Sequence, residues 1–156
     1  MSNTKCYVKL SKSDGEIIMQ NKISKELYYQ VRNIMKKRWN VREGEYWYPL
    51  IENGFEPKIA LDYDGFISHY NELKFKKLVK ILINEDIFEI AEYDFFNSFV
   101  MLSDEFEIYC GSELFWTVNN AEWLIYKSHE DTLTFAGEKA LDILKGCLPD
   151  YKDYCW

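Results

Sequence analysis

From Phe88 to Phe135 the chain is a succession of short runs rich in aromatic and β-branched residues. They are Phe88–Tyr93, Phe99–Leu102, Phe106–Cys110, Leu114–Val118, Trp123–Ser128 and Thr132–Phe135. Asp94, Ser103-Asp104, Gly111-Ser112, Asn119-Asn120 and His129–Asp131 separate them, and such residues favour turns. Runs this short, joined so tightly, leave room for antiparallel neighbours only, because a parallel crossover needs a dozen residues or more. The pattern predicts a β-meander.

Register sharpens the expectation around Leu114–Phe135. A two-residue turn at Asn119-Asn120 opposes Trp116 to Trp123 and Phe115 to Leu124. One sheet face then carries Leu114, Trp116, Val118, Ala121, Trp123 and Ile125, all apolar. The other carries Phe115, Thr117, Glu122, Leu124 and Tyr126, a mixed set that calls for a cover from the 41–57 connection, the C-terminal tail or another protein. In the next turn, a three-residue loop His129–Asp131 sets Phe135 opposite Ile125 on the apolar face, with Asp131 left-handed and His129 at the exposed tip.

The rest of the chain reads as helix and connection. Lys5–Leu10 and Glu16–Gln20 are predicted strands about the Ser13-Asp14-Gly15 turn. About Ser24, an N-cap candidate, the period changes, and Ile23, Leu27, Tyr28, Val31, Ile34, Met35 and Trp39 recur at helical spacing. Arg32, Lys36, Lys37 and Arg38 crowd that helix, where positive charge suits its C-terminal end and can face the acidic half of the protein. Val41–Pro57 lacks a period and is predicted to be a long connection whose Tyr46-Trp47-Tyr48 cluster forms either a lid on the core or a contact patch. Asn71 caps a helix from Glu72 to about Ile83, with lysines opposite an apolar face. A last helix spans about Gly137–Lys145 and is ended by Gly146. The fold class expected is α+β: one domain, residues 1–156, in which two to three helices pack mainly on one face of an antiparallel meander.

Charge is distributed unevenly. Residues 1–40 hold nine Lys/Arg against three Asp/Glu, whereas residues 85–156 hold four against sixteen, within a net charge of −7. That field repels nucleic-acid phosphates and attracts a basic partner, so direct nucleic-acid binding is not expected. There is no apolar run of membrane-spanning length and no secretory h-region. Four cysteines without a C-x-x-C pair read as reduced thiols in a cytoplasmic protein.

No catalytic, cofactor or metal motif is present. Asp62-Tyr63-Asp64-Gly65 lacks the glycine and glutamate positions of an EF-hand, so Asp64-Gly65 is taken as a turn. Cys110 and His129 are the side chains on which a small enzyme would have to rely, and neither has an orienting partner in the sequence. Glu122-Trp123-Leu124-Ile125-Tyr126-Lys127-Ser128-His129-Glu130, followed by Thr132-Leu133-Thr134-Phe135-Ala136-Gly137, resembles the C-terminal part of small bacterial proteins, some of which resemble immunity proteins of polymorphic-toxin systems. The resemblance covers about the last quarter of the chain, implies a binding protein and brings no catalytic residues with it. The function expected is neutralisation of a basic protein partner, such as a toxin domain, through Glu107, Tyr109, Glu122, Tyr126, Glu130 and Asp131. An inhibitor mimicking nucleic-acid charge is the second class; an enzyme using Cys110 or His129 is the third.

Overall fold

The computed structural model describes residues 7–9, 18–42, 47, 57–91, 98–109 and 113–156. Among these residues eight strands form one antiparallel sheet: β1 (Tyr7–Lys9), β2 (Ile18–Lys22), β3 (Lys58–Asp62), β4 (Ile87–Ala91), β5 (Phe99–Met101), β6 (Leu114–Thr117), β7 (Leu124–Lys127) and β8 (Thr132–Ala136). Their order is β1-β2-β5-β4-β6-β7-β8-β3. With the four α-helices of the described residues, α1 (Lys25–Trp39), α2 (Tyr63–His69), α3 (Glu72–Leu82) and α4 (Glu138–Cys147), the fold is α+β.

Strands β4, β6, β7 and β8 are buried at every position, which requires cover on both faces. Leu114, Trp116, Ile125, Leu133 and Phe135 pack against Phe66 of α2, Phe75 and Val79 of α3, and Leu141 and Leu144 of α4. On the opposite face Phe88, Ile90, Phe115, Leu124, Tyr126 and Ala136 pack under α1 through Tyr28, Val31, Met35 and Trp39, joined by Val41 and Trp47. The mixed face is therefore covered by the chain itself, principally by α1. Trp47 closes part of it, with its ring 5.5 Å from Tyr126 and its Nε1 donating to the Trp39 carbonyl at 2.8 Å. Tyr46 and Tyr48 lie outside the described residues. The C-terminal tail goes elsewhere: Cys155 bridges to Leu61, and the Trp156 N–H donates to Ala60, lining the exposed edge of β3.

The β7–β8 register is the expected one, Ile125 opposite Phe135, with Asp131 at φ 56°. The β6–β7 register differs. Thr117 faces Leu124 and Trp116 faces Ile125, so residues 118–123 form a longer connection than an Asn-Asn hairpin. Ala121 takes a left-handed φ of 48°, and its carbonyl accepts the Trp39 Nε1–H at 2.7 Å, a tertiary bond that no local pattern reveals. A slip of two residues leaves Leu114, Trp116 and Ile125 on the face expected for them, whereas Ala121 joins the α1 side.

Three other expectations are corrected. Asp62-Tyr63-Asp64-Gly65 is a strand end running into a helix; the Asp62 carboxylate caps α2 by accepting the Gly65 N–H at 2.7 Å. Phe106–Tyr109 alternates like a strand but forms none. Because β5 pairs outward with β2 while β6 returns beside β4, this segment runs over the side that carries α2, α3 and α4, burying Phe106 and Ile108. Gly146 does not end α4 but lies within it, where a Cβ would sit 2.6 Å from Leu78 of α3.

Candidate functional site

Among the described residues, the most highly built exposed feature is the β7–β8 tip. Ser128 organises it: its hydroxyl accepts the N–H groups of Glu130 and Thr132 at 3.1 and 3.2 Å and lies 2.8 Å from the Thr132 hydroxyl. Lys127, the single base among the twelve acids of residues 85–131, is buried beneath the tip. Its ammonium donates to the Ser128 carbonyl at 2.8 Å and to Asp131 Oδ1 at 2.9 Å, and lies 4.5 Å from the Tyr63 ring centroid. The Asp131 carbonyl accepts the Tyr63 N–H at 2.9 Å, tying the tip to α2. Above this scaffold His129, Glu130 and Asp131 are exposed. Glu113, itself at positive φ, pairs with the His129 ring. The hydrogen bond from Lys127 holds the Asp131 carboxyl below its ordinary range, so it stays ionised well into mild acid.

The residues expected to bind a partner do not form one patch. Glu130 and Asp131 share the tip, and among the described residues no ion pair engages Glu130. Glu122 lies at the other end of β7, paired with Lys139 of α4; that hydrogen bond lowers its pKa against the opposing effect of burial. Glu107 is 3.4 Å from Lys76 of α3, whose own pKa is raised mainly by its bond to Glu72. Tyr109 points its hydroxyl into the protein, 2.5 Å from Glu89 Oε1. Tyr126 corrects the expectation of an outward aromatic: it is 1% exposed and stacks on Phe115 at 4.4 Å under α1. Two residues that matter to the tip lie outside the expected set: Glu113, which no sequence pattern marks, and Lys127, whose isolation in an acidic stretch is a signal for a structural counterion.

His129 sits on an exposed tip beside a carboxylate, and Cys110 lies outside the described residues. His69 stacks on Tyr154 at 4.8 Å, its Nδ1 3.0 Å from the Gly65 carbonyl. Burial pushes the Cys147 thiol up to about 12, far from thiolate reactivity at neutral pH. Among the described residues no group of three or more His, Cys, Asp or Glu is placed to hold a metal, and no helix is long and apolar enough to cross a membrane. No protein-family model matches this chain, and no curated protein or solved structure gives a significant match.

Proposed function

We propose that this chain is a cytoplasmic binding protein that neutralises a basic protein partner, of the immunity type directed against a toxin domain. The observation that carries the reading is the β7–β8 tip, where exposed Glu130 and Asp131 stand on a hydrogen-bonded scaffold anchored by buried Lys127. Rigid presentation of acids reduces the ordering cost of binding, and their charge steers encounter with a basic surface. The acidic excess of residues 85–156 supplies the longer-range field. Glu107 and Glu122, already neutralised within the chain, contribute less.

Surface-binding measurements against a set of basic toxin domains test the reading. A cognate domain binds with a salt-sensitive association rate, and Glu130→Lys combined with Asp131→Asn lowers affinity about tenfold or more, the scale of 1.4 kcal/mol. Glu107→Gln leaves it nearly unchanged. Unaltered affinity in the tip variant rules out this surface.

A further inference from the structure

We propose that Arg32 is the receptor for a small oxyanion, a phosphate or carboxylate group, enclosed between α1 and the sheet. Arg32 belongs to the sheet-facing side of α1 with Tyr28, Val31, Met35 and Trp39, and is only 4% exposed. Its two terminal nitrogens are sealed from solvent and have no hydrogen-bond partner among the described residues. A buried lysine or carboxyl group can escape such a position by changing protonation; a guanidinium cannot. Its planar fork of N–H donors matches the paired oxygens of a carboxylate or phosphate, and it is weakly hydrated enough to be buried with one.

Two further features favour an anion. Thr134 also keeps a buried hydroxyl without a partner among the described residues. Its β8 neighbours Leu133 and Phe135 face the three-helix side, so alternation places Thr134 on the α1 side, as it does Ala136. The helix is also strongly cationic, with Lys25, Arg32, Lys36, Lys37 and Arg38 against the single acid Glu26, which is exposed. Lys36, one turn beyond Arg32, lies on the same flank and raises the local positive potential. An anion bound here is enclosed, so it enters when the α1 layer opens and registers as added stability. This inference is independent of the acidic tip.

The test uses the full chain and two probes, inorganic phosphate and acetate, each matched in ionic strength with chloride. Thermal unfolding of the wild type is expected to rise by several degrees with at least one oxyanion over chloride, and Arg32→Met is expected to abolish that rise. Phosphorus NMR of the wild type with phosphate provides a readout that needs no variant: broadening or a shifted bound signal supports the site if phosphate produced the thermal shift. Equal melting temperatures in phosphate, acetate and chloride overturn the proposal, as does an oxyanion-induced rise retained in full by Arg32→Met.

Discussion

The two faces of the sheet bury charge in opposite ways. On the three-helix side Glu89 is 1% exposed, and both carboxylate oxygens are engaged: Tyr109 donates to Oε1 at 2.5 Å and Trp116 Nε1 to Oε2 at 3.0 Å. Lys127 on that side is likewise satisfied by Ser128 and Asp131. On the α1 side Arg32 is buried just as deeply with both terminal nitrogens unmatched among the described residues. The three-helix side does leave Trp123 Nε1 without a partner among those residues, but a neutral indole N–H costs far less to bury than a full charge. Buried charge alone is therefore a poor guide to function. A charge whose partners belong to the same fold is architecture, whereas one without them points outward to a ligand.

Mutations separate these cases. Glu89→Ala is expected to have the largest effect, a loss of about 3 kcal/mol measured by urea unfolding, because it strands the Tyr109 hydroxyl and Trp116 indole donors and opens a cavity. Gly146→Val tests the packing beneath that same face. The new side chain meets the end of the half-buried Leu78 side chain, which must turn aside where α3 and α4 approach, and a loss of about 1 kcal/mol is expected. Lys139→Met, at the rim, should cost only about 0.5 kcal/mol near neutrality because the pair is partly solvated. Its pH dependence identifies it. The folded pKa of Glu122 lies below the ordinary 4.5, so the pair's stabilisation is present above that value and is lost as pH falls through the lowered folded pKa. Wild type and Lys139→Met should therefore converge in stability in strong acid.

Much of this architecture is legible in sequence because it rests on local chemistry. Ser24 and Asn71 cap α1 and α3 through their own side chains, accepting the N–H groups of Leu27 and Lys74. The β7–β8 loop followed from keeping Phe135 on the apolar face. What sequence did not show depends on contacts distant along the chain. The Trp39–Ala121 bond holds the β6–β7 connection in a form that its Asn-Asn pair does not suggest. The outward pairing of β5 with β2 turned an alternating segment into an unpaired crossing. Sequence sets Arg32 with Lys36, Lys37 and Arg38, as charge that suits the C-terminal end of α1 and can face the acidic half of the protein; only the packed structure shows that it falls inside. Of the site, the exposed acids at the tip were legible, but the buried lysine that holds them and the inward turn of Tyr126 were not.

Urea unfolding of Glu89→Gln and Arg32→Met, in parallel in a buffer containing chloride as the only small anion, tests the contrast between the faces most directly. Glu89→Gln should lose about 1–3 kcal/mol, since the amide nitrogen meets a donor where the carboxylate accepted a hydrogen bond. Arg32→Met should match or exceed wild-type stability, since an apolar chain of similar length replaces a charge unsatisfied by the described residues. A loss of about 3 kcal/mol or more in Arg32→Met would show that the guanidinium is already paired within the fold and would contradict the distinction drawn between the two faces.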